Sequence, residues 1–254
     1  MAGLSGVRAK LRRADEHRQA YEDLFHGFLD TEPYSLDLEV EPESGWHILR
    51  WRIEREPPYE DLALIFGDML SNLRTTLDYL AWQLVLATGR EPGRHTGFPV
   101  ARRPEDWPAQ SSAALAGLAP EWADEVQALQ PYHWDQPELH PLAVLDHVNN
   151  LHKHRFLPPA VLTLERFDYL ITVDVPVGER LESRDSSDEP VRDGGELARV
   201  RAESRIPLEV RVNERPGFRI SFEDDLGHDW YPIELVAWVT EAVARFEPAF
   251  LEQG

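Results

Sequence analysis

The sequence predicts an α+β fold in which three to four helices pack with antiparallel β-strands and a C-terminal helix. Apolar residues recur every three or four positions near residues 4–30 and 59–88, which is the spacing of one helix face. Between residues 36 and 53 they instead alternate with charged residues, the period of a half-buried strand. After about residue 157 the pattern turns to short strands, and a last helical stripe closes the chain.

We expect these elements to form one domain. The helical part with its hairpin would occupy residues 1–157, and the strand-rich part with the C-terminal helix would occupy 158–254. Within the second part, residues 178–196 are polar, carry Gly and Ser and almost lack large apolar side chains, which predicts a flexible loop. With 254 residues, 42% of them hydrophobic, the chain is long enough to bury a substantial core.

Composition narrows the classes of function. The chain has no cysteine, so disulfides and thiolate metal sites are excluded. No stretch approaches the roughly 18 apolar residues of a membrane span, and the first residues lack the apolar core of a signal peptide, so we expect a cytoplasmic protein without a membrane partner. The formal charge of −20 disfavours a DNA-binding surface, because phosphate backbones are bound through summed positive charge.

The first elements follow from their periodicity. Residues 4–30 form an amphipathic helix, since leucine and aromatic residues fall at spacings of three and four. A β-hairpin follows, with its turn at Pro42–Gly45. On its first strand Leu36, Leu38 and Val40 alternate with acidic residues, and its second strand alternates apolar residues mostly with arginine. Opposite charges can therefore pair across the outer face of the hairpin.

The strongest helical pattern covers residues 59–88 and predicts a central helix that Gly89 ends. Its core stripe repeats at spacings of four and three and consists of Phe66, Leu70, Leu73, Leu77, Leu80 and Leu84. On a neighbouring face lie Arg74 and Asp78, four residues apart. One interpretation is a surface ion pair worth a few tenths of a kcal/mol. The other is an arginine that its aspartate orients into a pocket.

Later segments are shorter. Residues 90–137 are rich in Pro and Trp, which predicts a cover of short helical pieces packed by Trp107, Trp122 and Trp134. Apolar runs then predict four strands, at Phe167–Val175, Leu197–Glu203, Leu208–Val212 and Phe218–Phe222. A final helix is predicted from about Pro232.

A helix predicted over 141–156 carries an unusual concentration of rare residues. His140 and Pro141 suit its N-cap and first position, and Pro158-Pro159 forbids its continuation. The chain contains 24 arginines but only two lysines and four asparagines, a bias typical of a high-GC bacterium, yet Asn149, Asn150 and Lys153 fall within five residues. Asn150, Lys153 and His154 share one helix face with Asp146.

Three interpretations of this face remain open. Its basic residues could simply complement the negative end of the helix dipole. Five histidines between 133 and 154 could hold zinc, although His147 and His154 are seven residues apart, about 10.5 Å along the helix axis, too far to share one ion easily. The third interpretation is a polar pocket between two helices, in which Arg74 and Asp78 face Asn150. Lys153 and Arg155 would then hold an anion, and His154 would transfer protons.

Four segments resemble a family of uncharacterised bacterial and phage-borne proteins. They are NLRTTLDYLAWQL (72–84), FPV (98–100), LQPY (129–132) and HPLAVLDHVNNLHKHRFL (140–157). In that family an N-L-R-x-x-L-D helix recurs with a later N-x-D-K-H-R helix. The matching residues here are Asn72, Arg74, Asp78, Asn150, Lys153, His154 and Arg155, while His152 stands where an Asp is more usual. The resemblance supports the position of the site and brings no established activity with it.

These observations predict a cytosolic bacterial protein that binds a small polar or anionic ligand between two helices, or a protein partner, and they indicate no cofactor and no metal. The alternative is a ribonuclease of the HEPN kind, or another phosphodiester-processing enzyme, with His154 as the catalytic base. Two segments match the R-x(4–6)-H motif of such ribonucleases, at Arg12–His17 and Arg90–His95, but about three matches are expected by chance. The sequence does not set the oligomeric state.

Overall fold

The structure is a computed structural model whose helices and strands confirm the α+β class. The described residues are 2–154, 160–166, 170–185, 191–206, 208–213, 217–223 and 229–251. Their helices are α1 (Ser5–Leu29), α2 (Tyr59–Ala87), α3 (Trp107–Ala114), α4 (Pro120–Ala128), α5 (Pro141–His154), α6 (Pro232–Arg245) and α7 (Pro248–Leu251). Their strands are β1 (Tyr34–Glu41), β2 (Trp46–Ile53), β3 (Ala160–Arg166), β4 (Leu170–Asp174), β5 (Leu181–Asp185), β6 (Glu196–Ala202), β7 (Glu209–Asn213), β8 (Gly217–Glu223) and β9 (Asp229–Trp230).

The chain divides into two compact units, and neither is continuous in sequence. Unit 1 comprises Met1–Asp23, Glu60–Pro158 and Trp230–Gly254, and unit 2 comprises Leu24–Tyr59 and Pro159–Asp229. The hairpin thus groups with the later strands, and the C-terminal helix groups with the N-terminal helices. The expectation of a single domain stays a prediction.

The apolar stripe of α2 is the centre of unit 1. All six predicted stripe residues are at most 1% exposed. Leu62 extends the stripe toward the start of the helix, and the buried Met69 widens it. Gly89, with a φ of +76°, adopts the left-handed conformation that ends many helices. Buried residues of α5 and α6 include Leu145 and Val239. The helix predicted over residues 59–88 and the burial of its apolar stripe are confirmed.

The Pro- and Trp-rich segment forms short helices, as predicted, but its tryptophans do not fill the core. Trp134 is half exposed, and Trp107 and Trp122 are only partly buried. The buried side chains of this segment are instead smaller or lie in its loops, and they include Phe98, Ala101, Leu115, Leu118, Val126 and Leu129. An indole is large enough to cover apolar neighbours while one edge stays in water, as Trp122 does against Phe246, 6.0 Å away between ring centroids.

Unit 2 contains a four-stranded antiparallel sheet in the order β1-β2-β6-β5. Leu38 lies opposite Leu49 in the register of the predicted hairpin. The charge pairs predicted across this hairpin form at 2.6 Å between Arg50 and Glu39 and at 3.0 Å between Arg52 and Asp37. Further strand pairs are β3 with β8 and β4 with β7, both antiparallel. A buried cluster of Val200, Ala202 and Leu208 packs against Val173, Ile206 and Val210.

The segment predicted as a flexible loop contains a strand. Residues 181–185 form β5, which pairs with β6 so that Ser183 lies opposite Val200. All five residues of β5 are exposed, because the strand lies at the edge of the sheet and has no buried face. The apolar alternation that reveals a half-buried strand is therefore missing from this sequence. Residues 186–190 lie outside the described part of the chain.

His140 caps the start of α5, as its sequence position predicted. Its Nδ1 accepts a hydrogen bond from the Leu142 backbone N–H at 3.1 Å, which satisfies one of the free amides of the first turn. The ring lies edge-on between Trp134 and Trp238, at centroid distances of 4.7 and 5.3 Å, and only 4% of the residue is exposed. Burial, and secondarily the charge of His133, lower the pKa of His140 from 6.5 to about 4.

This cap predicts a pH-dependent loss of stability. Above pH 6.5 His140 is neutral in both the folded and the unfolded chain, so its contribution is fully present. As the pH is lowered from 6.5 to about 4, the unfolded chain binds a proton at His140 that the folded chain does not bind, and the free energy of unfolding falls. The fall attributable to His140 is on the order of 3 kcal/mol, and it ceases below pH 4. Urea unfolding at successive pH values measures it.

The comparison variant is His140→Asn, which retains a capping side chain but does not titrate. We expect it to be less stable than wild type at pH 7.5, because it loses the packing between the indoles. Its stability should also fall less steeply between pH 6.5 and 4. Parallel curves for the two proteins would show that His140 does not cause the loss.

Candidate functional site

Arg74 and Asp78 on α2 hold both backbone polar groups of Phe98. The Arg74 Nη2 donates to the Phe98 carbonyl at 2.7 Å, and the Phe98 N–H donates to Asp78 Oδ1 at 3.0 Å. The two side chains also pair with each other at 3.0 Å. The i,i+4 ion pair predicted from the sequence is therefore present, and it binds a segment 24 residues further along the chain.

Local packing brings this segment close to α2. A Cβ atom on Gly97 would lie 3.1 Å from Asp78 Oδ1, so the close approach favours glycine at this position. Further along, the Ala101 N–H donates to Oε1 of the fully buried Gln130 at 2.8 Å. The Arg102 Nη2 then donates to the Ala143 carbonyl on α5 at 3.2 Å. Residues 97–102 thus form a strap between α2 and α5, and we call it the 97–102 strap.

Two buried polar atoms of unit 1 lack a hydrogen-bond partner in the described structure. One is Nη1 of Arg74, whose side chain is 17% exposed, and the other is Oδ1 of Asn149, a residue 2% exposed on α5. Burial removes the water that would otherwise satisfy such groups, so leaving them unpaired costs free energy. Groups of this kind are either a tolerated imperfection of packing or a place where another molecule binds.

The predicted α5 residues are placed as follows. Asn150 is exposed, one residue after the buried Asn149. The backbone of Lys153 and His154 belongs to the last turn of α5, but their side chains lie outside the described part of the chain, as does all of Arg155. The structure therefore brings Arg74 and Asp78 together, and the meeting of these two residues with the α5 face stays a prediction.

Sequence reasoning missed three contributors to this region: Asn149, Gln130 and the 97–102 strap. Asn149 could have been found, because it falls seven residues after Leu142 and four after Leu145, on the core stripe of α5. A polar residue on such a stripe is buried and needs a partner. Gln130 and residues 98–100 lie in two of the segments that carry the family resemblance, but no local spacing predicts their contacts, since these contacts join distant parts of the chain.

One of the two lysines also meets one of the four asparagines. The Lys10 Nζ on α1 donates to Asn72 Oδ1 on α2 at 3.2 Å, and the Asn72 Nδ2 donates to the Asp68 carbonyl at 2.7 Å. The first residue of the N-L-R-x-x-L-D segment therefore ties α1 to α2. This contact is structural in character, because both polar ends of the Asn72 amide are already occupied.

Among the described residues, no group of three or more His, Asp or Glu side chains is arranged to hold a metal ion. Of the helices in the described structure, none combines the length and the apolar character that crossing a membrane requires. No protein-family model, curated protein or solved structure matches the chain. The function must therefore be argued from the chemistry of the side chains themselves.

The contact with Phe98 predicts that Asp78→Ala destabilises the fold. The substitution leaves the Phe98 N–H and the Arg74 guanidinium without their carboxylate, and we expect a loss of about 2 kcal/mol in the free energy of unfolding. Urea denaturation at pH 7 measures the loss.

Asp15→Ala is a matched control. Asp15 is 40% exposed, as Asp78 is 39% exposed, and it pairs with Arg18 at 2.7 Å on the same helix. It holds no distant backbone amide in the described structure, so its removal should cost no more than about 1 kcal/mol. Equal losses from the two variants would contradict the role assigned to the 97–102 strap.

Proposed function

We propose that the protein binds a small polar or anionic ligand in unit 1, with Arg74 of α2 as its principal contact. The observation that carries this proposal is the unpaired state of Arg74 Nη1. The neighbouring Nη2 is fixed by Phe98 and Asp78, so the planar guanidinium is held in one orientation while the N–H groups of the buried Nη1 remain unpaired. A donor that is oriented before the ligand arrives loses little entropy on binding.

Residues of α5 would complete the site. Asn149 offers a buried amide oxygen, and Asn150 is accessible to solvent. In the sequence, Lys153, His154 and Arg155 follow within five residues of Asn150 and would add positive charge there. The ligand would then meet N–H donors of Arg74 and Lys153, which suit a carboxylate or a phosphate group, while the Asn149 oxygen would accept a hydrogen bond from a hydroxyl or amine of the same ligand.

Charge limits the size of this ligand. The chain carries a net charge of −20, and Asp78 offsets part of the positive charge of Arg74. A long polyanion would be repelled by the acidic surface, whereas a small anion needs only a few local donors. The proposal is therefore a binding site for a small molecule, in which His154 could exchange a proton with the ligand near neutral pH.

Isothermal titration calorimetry tests this proposal with three probes: inorganic phosphate, adenosine monophosphate and succinate. We expect saturable binding of at least one of them to wild type. Arg74→Lys keeps the charge but removes the oriented guanidinium and its unpaired Nη1, so affinity should fall roughly tenfold or more. Asn150→Ala should weaken binding while changing the free energy of unfolding by no more than about 0.5 kcal/mol, because the residue is exposed.

The matched control is Arg18→Lys. The Arg18 side chain is 15% exposed, close to the 17% of Arg74, but it pairs with Asp15 and Glu22 on α1, and no atom of it is left buried and unpaired in the described structure. Its substitution should leave the affinity unchanged. Failure of all three probes to bind, or equal affinity for Arg74→Lys and wild type, would overturn the proposal.

A further inference from the structure

Unit 2 contains a cavity of about 450 Å³ beside the base of the hairpin. Its walls include Tyr34 at the start of β1, Tyr59 at the start of α2, and the loop that carries Val191 and Arg192. Small-molecule sites are typically concave and measure about 300–1,000 Å³. The cavity lies entirely within unit 2, so it is distinct from the site proposed for α2 and α5 in unit 1.

Hydrogen bonds fix the walls of this cavity. The Ile53 N–H donates to Asp193 Oδ1 at 3.0 Å, and the Trp51 N–H donates to the Gly195 carbonyl at 2.9 Å, which joins the 193–195 loop to β2. The Arg55 Nη2 donates to the Thr31 carbonyl at 3.1 Å. These bonds connect segments distant in sequence, so the cavity does not depend on a ligand to form.

Two phenols form part of the lining. The Tyr34 ring packs edge-on against Phe28, with 5.9 Å between centroids, and Tyr59 is also partly buried. Burial raises the pKa of Tyr34, with a smaller contribution from Tyr59, and burial followed by the Glu56 carboxylate raises the pKa of Tyr59. Both side chains therefore stay neutral at physiological pH, and each offers an aromatic ring to an apolar group.

Some charged side chains of the lining already form ion pairs or hydrogen bonds, and others do not. Glu54 pairs with Arg52 at 3.3 Å, while Asp193 and Arg55 bind backbone groups. In contrast, neither the Glu56 carboxylate nor the Arg192 guanidinium is hydrogen-bonded or ion-paired within the described part of the chain. One free negative and one free positive group thus line the same cavity without neutralising each other.

We propose that this cavity binds a small zwitterion of the α-amino acid class. The ligand's ammonium group would bind the Glu56 carboxylate, and its carboxylate would bind Arg192, whose planar fork suits such a group. An apolar ligand side chain would contact the rings of Tyr34 and Tyr59 beside Val191. A zwitterion would bind both free charges at once, whereas a simple amine or a simple acid would bind only one of them.

Calorimetric titration of the full chain tests this proposal with L-phenylalanine and its two truncated analogues, phenethylamine and 3-phenylpropionate. We expect saturable binding of L-phenylalanine and binding at least roughly tenfold weaker for each analogue, because each loses one charge-assisted contact. The other common L-amino acids, titrated in the same way, define the preferred side chain. Equal affinity for L-phenylalanine and either analogue, or no saturable binding of any amino acid, would overturn the proposal.

Variants locate the binding. Glu56→Gln and Arg192→Gln should each weaken the best-binding amino acid by about tenfold or more. The matched controls are Glu43→Gln and Arg12→Gln, which remove exposed charges from outside the cavity and should leave the affinity unchanged. Both cavity residues are exposed, so circular dichroism should show the variants folded. Loss of binding in the control variants as well would contradict the assignment to this cavity.

Arg74→Lys separates the two proposals. It lies in unit 1 and should leave amino acid binding unchanged, while Glu56→Gln should leave binding of phosphate, adenosine monophosphate or succinate unchanged. Each site can therefore fail its test without affecting the outcome for the other. An amino acid whose affinity fell with Arg74→Lys but not with Glu56→Gln would overturn the zwitterion site.

Discussion

Burial of the α2 stripe is the constraint on which unit 1 depends. The side chains along this face are almost fully enclosed from Leu62 to Val85, so the helix has only one acceptable rotation about its axis. That rotation also fixes the neighbouring face. Arg74 follows the buried Leu73 and Asp78 follows the buried Leu77, so both lie at the same angle from the stripe. Their pairing and their joint contact with Phe98 follow from the apolar core, although neither residue belongs to it.

The 97–102 strap shows how a segment without regular structure is held. Phe98 contributes a buried ring to the core, and its backbone would be left with an unsatisfied donor and acceptor if α2 were apolar on this side as well. The ion pair supplies both partners, and Gln130 supplies the next acceptor at Ala101. Arg74, Asp78 and Gln130 therefore stabilise the fold. A ligand that binds Arg74 must use Nη1, the nitrogen that these contacts leave unpaired.

The features that the sequence predicted well are those with a local period. Helices α1, α2, α5 and α6 and the β1–β2 hairpin each repeat an apolar spacing within one segment, and the charge pairs of the hairpin follow from its register. The features that it did not predict depend on distant partners. Pairing of β2 with β6 joins residues about 150 positions apart, and the polar edge strand β5 has no apolar face to reveal it. The bonds between Arg74 and Phe98 likewise leave no trace in local spacing.

The candidate site illustrates the same distinction at the level of single residues. Helical spacing correctly placed Arg74 beside Asp78, and it placed Asn150 on the polar face of α5, where the residue is exposed. It did not identify Asn149 as the buried amide, because the candidate residues were chosen from the polar face of α5 and Asn149 lies on the core stripe. The physical meaning of the unpaired groups also differs between the two proposed sites. In unit 1 the unpaired atoms are buried and costly, so the burial itself is the argument for a ligand. In unit 2 Glu56 and Arg192 are exposed and water can satisfy them, so the argument there comes from the preformed cavity that both of them line.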